Sequence, residues 1–222
     1  LNNWNPWCNS DVMLCFLLIE KDQKRLDAAV RQGIESIDRF LDYNTSDGAC
    51  EEGPGYWDAA AGKLYDFLQI LFDASSGKFN MFDNDRIRRM GEFASRAYVG
   101  GRYVANFADG SALVTCTPEL LWSYGNAVGS QEMVNYALYR YADRKNETFR
   151  SPHHINGEAW RALSSARFLP LISHQTDSLN RILLSAGEEN RNATMNRLLY
   201  NLRKDVPSST WYPETEMCFL RN

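Results

Sequence analysis

A helical spacing of apolar residues recurs from one end of this chain to the other, and it constrains the fold more than any other feature. In residues 23–43, Leu26, Ala29, Val30, Ile34, Ile37, Phe40 and Leu41 fall on one stripe, while Lys24, Arg31, Gln32 and Asp38 fall elsewhere. That pattern is an amphipathic helix with one face committed to a core. Just before it, Val12-Met13-Leu14-Cys15-Phe16-Leu17-Leu18-Ile19 is apolar on nearly every side, which predicts a helix over residues 10–19, capped by Ser10 or Asp11 and buried all round. Further helices are predicted over residues 57–74, stopped by Ser75-Ser76-Gly77, over 85–99, and more briefly at 118–124, 131–142, 157–171 and 192–203. The fold class is all-α, built of many antiparallel helical hairpins. Only after Pro207-Ser208-Ser209 does the character change. Residues 210–220 carry β-favouring side chains in partial alternation and predict the first strand of something the chain does not finish.

Two segments break the helical pattern: Asn2-Asn3-Trp4-Asn5-Pro6-Trp7 and Asp47-Gly48-Ala49-Cys50-Glu51-Glu52-Gly53-Pro54-Gly55-Tyr56-Trp57. Both combine amides, carboxylates and aromatic rings with chain-bending glycine or proline, and both are expected to be loops furnished for ligand contact. The aromatic share of 13% suits either a thick helical core or a sugar-stacking cleft. A net charge of −4 excludes general nucleic-acid binding, which needs a basic footprint. The apolar run at 12–19 is too short to span a bilayer, and no signal peptide opens the chain. Starting without methionine inside a polar-aromatic motif, the chain is expected to be a piece of a longer protein.

Within these segments Tyr56 stands out, because the glycines and proline before it can bend the backbone and present its phenol for general acid or base work. The alternative is a helix-entry tyrosine packing on Trp57. Asn2 and Asn3 offer neutral amides suited to holding a carboxylate or carbonyl oxygen, or else to capping a helix. Trp4, Trp7 and Trp57 are candidates for stacking on sugar rings, against a plain core role. Asp47, Glu51 and Glu52 are candidate carboxylates for glycoside hydrolysis, a weak signal since adjacent residues rarely aim at one point. Arg86, Arg88, Arg89, Arg96 and Arg102 form the one basic concentration, either a solvated face or a docking patch for an anionic chain.

The remaining reactive types point to little. Cys8, Cys15, Cys50, Cys116 and Cys218 are scattered and odd in number, so neither a disulfide framework nor a zinc site is indicated. His153-His154 beside Pro152 predicts a surface turn, and no metal-ligand spacing accompanies the histidines.

Together the motifs resemble the heparinase II/III family of polysaccharide lyases. The resemblance rests on the two segments above, on Asn106-Phe107-Ala108-Asp109 and on Trp211-Tyr212-Pro213-Glu214, and spans nearly the whole chain. It implies an incomplete α/α toroid over residues 1–206, with 207–222 as the linker and first strand of a β-sandwich domain. It also implies a secreted or periplasmic bacterial enzyme that cleaves uronic-acid-containing polysaccharides by β-elimination. Tyr56 then matches the family's proton-transferring tyrosine, and Asn2 or Asn3 the residue that neutralises the uronate carboxylate. Trp4, Trp7, Glu52, Trp57, Arg89, Arg96 and Arg102 become substrate-binding candidates. No cofactor is expected in these residues, since the resemblance puts a histidine and any metal in the β-domain, and residues 1–222 alone are expected to show little or no lyase activity. An α/α-barrel glycoside hydrolase and a carbohydrate-binding helical domain are the other two readings.

Overall fold

The computed structural model describes residues 2–113, 116–143 and 187–221. These residues are mostly helical, with two small antiparallel strand pairs. The helix expected at 157–171 and all three histidines lie outside the described residues.

Helix α1 spans Trp4–Ile19, longer than expected, so the first motif is the opening turn of a helix and not a loop. Pro6 is tolerated there because the first turn's N–H groups have no intrahelical partner. Nor is α1 buried all round. Met13 and Ser10 face inward, but Leu18 is 75% and Ile19 72% exposed. Ser10 is not its cap; its hydroxyl donates back to the Trp7 carbonyl at 2.9 Å.

Helix α2 spans Gln23–Tyr43, started by Asp22, whose carboxylate accepts the N–H groups of Lys24 and Arg25. Its Gly33 lies close against α1 and α3, where a Cβ would meet the Met13 methyl at 2.5 Å and the Phe67 ring at 3.3 Å. A π-helical turn at Asp58–Gly62 leads into α3, Lys63–Ala74, which is buried through Leu71 and forms the centre of the core. Ser76 and Gly77 then adopt positive φ, and the Gly77 N–H closes onto the Phe72 carbonyl at 2.7 Å, ending the helix.

Helix α4 spans Asp85–Arg96, capped by Asn84. It stops short of the expected residue 99, because Tyr98–Gly100 becomes strand β1 and pairs with β2, Tyr103–Val104. Helices α5 (Pro118–Ala127), α6 (Gln131–Asp143) and α7 (Glu188–Asp205) follow. Helix α1 packs on α2 and α3, α4 on α5 and α6, and α6 on α7.

Near the C-terminal end, β3 (Ser209–Tyr212) and β4 (Met217–Leu220) form a hairpin, so the expected single strand is two. It is no loose linker. Tyr212 is 1% exposed and its ring meets Phe93 edge-on at 5.5 Å, with Phe219 beside both.

Candidate functional site

The loop from Cys50 to Trp57 turns on two glycines. Gly53 has φ +88° and its N–H bonds the Cys50 carbonyl at 3.0 Å; a Cβ there would sit 2.5 Å from the Phe107 carbonyl oxygen. At Gly55 a Cβ would meet the Ser111 nitrogen at 2.6 Å. The glycines therefore let this loop press directly on residues 107–111, which brings the second motif against Asn106-Phe107-Ala108-Asp109. Tyr56 follows, half-buried, with its N–H on the Gly53 carbonyl (3.1 Å) and its own carbonyl accepting Ala59 and Ala60 N–H as the π-helical turn begins.

The N-terminal turn of α1 closes the group. Asn3 is 6% exposed and lies at the N-cap position, yet its backbone is already helical (φ −52°, ψ −26°), so its side chain does not cap. Its carboxamide makes no hydrogen bond among the described residues. Asn2 is exposed instead, its Oδ1 accepting the Trp4 N–H at 3.4 Å. Of the two asparagines, Asn3 is the buried one.

Glu52 lies beside the Asn3 backbone and Asp109. Burial raises its carboxyl above the ordinary range, the Asp109 charge raises it further, and the Asn3 backbone N–H offsets part of this. Asp109 is a site residue that sequence reasoning left unassigned. Only its place in the motif with Asn106 pointed to it, because its proximity to Glu52 depends on the fold. Glu51 is exposed.

Asp47 is elsewhere engaged. Burial pushes its carboxyl up, but bonds from the Thr45 hydroxyl and the Ala49, Glu214 and Thr215 amides outweigh that and hold it below the ordinary value. It is unsuited to act as a general acid.

The aromatic candidates separate. Trp4 is 60% exposed and stacks on Trp7, with ring centroids 5.6 Å apart and planes 13° from parallel. The Lys63 ammonium lies 5.8 Å from the Trp7 ring centroid and is itself paired with Asp11 at 3.1 Å and Asp66 at 3.8 Å. Lys63 thereby fixes the Trp4–Trp7 pair against α3. Trp57 belongs to the interior. It is 1% exposed, donates Nε1–H to the Met90 carbonyl at 2.7 Å and stacks on Tyr124, so it offers no face to a ligand.

The arginine candidates scatter too. Arg96 is spent inside the protein, on Glu92 at 2.6 Å and Glu132 at 3.0 Å, with the Ser95 hydroxyl also on Glu132. It joins α4 to α6, which removes it from the ligand-binding set. Arg89 donates Nε–H to the Ser46 carbonyl at 2.9 Å and fastens the 44–48 turn to α4. Arg102 is exposed at the β1–β2 turn and forms no ion pair among the described residues.

Two groups can be set aside. Burial first, then nearby carboxylates, pushes the Cys50 thiol up to about 12, and burial pushes Cys116 to about 12, far from a reactive thiolate. Among the described residues no cluster of His, Cys, Asp and Glu has the makings of a metal site, and no helix is long and apolar enough to cross a membrane.

Glu52, Asp109 and the Asn3 backbone thus meet, with Tyr56 four residues along the same loop as Glu52 and Trp4 and Trp7 on the same α1 turn as Asn3. These segments carry a neutral amide, a carboxyl raised above its ordinary value, a phenol and an exposed indole. In comparisons with known proteins, no family model matches this chain and no curated protein matches it significantly.

Proposed function

We propose that residues 1–222 are the helical portion of a polysaccharide lyase acting on uronic-acid-containing glycans by β-elimination. The observation that carries this reading is the meeting of the first turn of α1 with the Glu52–Tyr56 loop, where the Asn3 backbone N–H bonds the Glu52 carboxyl beside Asp109. The C5 proton of a uronic acid is weakly acidic until its carboxylate is neutralised. The Asn3 carboxamide would supply that neutralisation without adding negative charge. Removal of the C5 proton then leaves an electron pair that forms the C4–C5 double bond as the C4–O bond breaks. The departing oxygen takes a proton, and Tyr56 is the group assigned to proton transfer. Trp4 would stack on a sugar ring.

On this reading the helices belong to an incomplete α/α toroid, and the hairpin at 209–220 leads towards a β-domain that carries the rest of the cleft, including any metal. The enzyme would be secreted or periplasmic, with an acidic polysaccharide as its partner.

A second reading has one specific observation in its favour. The Glu52 carboxyl lies near a second carboxylate, Asp109, which together with burial raises it, as the acid of a hydrolase carboxylate pair would require. The two are separated by Tyr56→Phe and Glu52→Gln in the full-length protein, assayed on acidic glycans. Loss through Tyr56 with a 4,5-unsaturated product supports the lyase; loss through Glu52 with a saturated product supports the hydrolase. Binding without turnover in the unmodified protein leaves a carbohydrate-binding domain.

A further inference from the structure

We infer that the crevice between the C-terminal end of α7 and the β3–β4 hairpin binds a small organic anion with an apolar body. The crevice measures about 590 Å³, well within the range of small-molecule sites. Its charged lining is Arg96, Arg203 and Arg221, with no acidic residue, and most of the rest is apolar, including Tyr98, Val206 and Phe219. It shares no lining residue with the Asn3, Glu52, Tyr56 and Asp109 group.

The charges do not balance within the crevice. Arg96 is neutralised from behind by Glu92 and Glu132. Arg221 is half-buried and forms no ion pair among the described residues; its guanidinium donates to the carbonyls of Pro207 (3.2 Å), Tyr98 (3.3 Å) and Arg96. Carbonyl dipoles solvate a guanidinium without cancelling its charge, and burial leaves Arg221 easier to deprotonate than an ordinary arginine. Arg203 is exposed at the mouth and forms no hydrogen bond or ion pair among the described residues. Arg203 and Arg221 thus line a cavity with apolar walls and no acidic side chain, Arg221 drawing on its three carbonyl partners and on the more distant Glu132 charge. An anionic head group adds a direct countercharge through charge-assisted N–H donors, and an apolar body covers the wall that a bare inorganic ion would leave wet.

Arg203 also sits in the last turn of α7, where a cation complements the helix dipole. That role predicts an effect on stability and none on ligand binding, so binding discriminates the two. The probe is 8-anilinonaphthalene-1-sulfonate, followed by calorimetry and fluorescence on the full-length protein, with neutral N-phenyl-1-naphthylamine as its uncharged counterpart; the Arg203→Ala comparison isolates the crevice from any other site. One sulfonate probe is expected to bind per chain, weakened about tenfold or more by Arg203→Ala, the loss expected for one charge-assisted contact. The circular dichroism of the variant should be unchanged. Competition by 1-naphthoate or by 1-naphthyl phosphate then identifies the head group, carboxylate or phosphate. Binding within twofold of wild type in Arg203→Ala, equal binding of the neutral probe, or no displacement by either competitor would overturn the inference.

Discussion

Asp47 and Glu214 hold each other's turns across the protein. Asp47 Oδ2 accepts the backbone N–H groups of Glu214 at 3.0 Å and Thr215 at 3.3 Å, while the Glu214 carboxylate accepts the Ser46 N–H at 3.0 Å and the Ser46 hydroxyl. The exchange fastens the β3–β4 turn to the loop that leads towards Tyr56. Asp47→Ala strips both amides of their acceptor and should destabilise the fold by about 1–2 kcal/mol, the lower part of the charged hydrogen-bond range because the site is open to water. Urea denaturation gives the loss, and amide exchange at Glu214 and Thr215 should accelerate ahead of exchange in α3.

The two carboxylates of that loop should titrate in opposite senses. Asp47 is held below its ordinary value of 3.8 and Glu52 is held above its ordinary 4.5. Asp47 therefore contributes stability that is present above 3.8 and lost as pH falls through its folded value. Glu52 contributes the reverse: stability declines as pH rises from 4.5 through its raised value. Carbon-detected NMR titration of the side-chain carboxyls measures both directly. Glu52→Gln should lessen the decline above 4.5, the remainder coming from Glu132, also raised by burial, and a Glu52 titration at or below that value would contradict the site electrostatics.

Arg96 is surrounded by Glu92 and Glu132, both buried. Arg96→Met leaves two carboxylates without their cation and should cost about 3–5 kcal/mol, the range for breaking a buried pair. Adding Glu132→Gln to that variant should recover part of the loss, read as a rise in the urea midpoint.

Trp4 and Trp57 should behave oppositely despite being the same residue type. Trp57→Ala removes a buried ring and its bond to Met90 and should cost about 3–5 kcal/mol. Trp4→Ala should change stability by no more than about 0.5 kcal/mol while weakening oligosaccharide binding, measured by calorimetry with a uronate oligomer.

Much of the fold was legible where its signals are local. Helix α2 occupies the expected residues 23–43, because Asp22 caps it and its stripe is continuous. Thr117 and Pro118 likewise mark the start of α5. What failed depended on distant neighbours. An apolar run such as that of α1 speaks for burial, but Leu18 and Ile19 are exposed because no described element covers that face. The sequence order Trp4, Trp7, Trp57 does not say which indole reaches the core; the Met90 carbonyl and the Tyr124 ring decide it. The 97–99 stretch leaves α4 because Tyr98 finds a strand partner in Val104, a pairing that helical spacing cannot report. Of the candidate site, the sequence singled out Tyr56 and the Asn2-Asn3 pair by residue type and by the glycine and proline around them, without separating the buried Asn3 from the exposed Asn2. The partnership of Glu52 with Asp109 was not legible, since the two are 57 positions apart and only the tight packing of Gly53 and Gly55 on residues 107–111 brings them together.

The most direct measurement is ultraviolet absorbance during digestion of uronic-acid-containing polysaccharides by the full-length protein and its Tyr56→Phe and Asn3→Ala variants. The account predicts a rise from 4,5-unsaturated products in the unmodified protein, reduced at least about a hundredfold in Tyr56→Phe, the scale of a lost general acid or base. Asn3→Ala should also be strongly impaired. Saturated products only, or an undiminished rate with Tyr56→Phe, would contradict it.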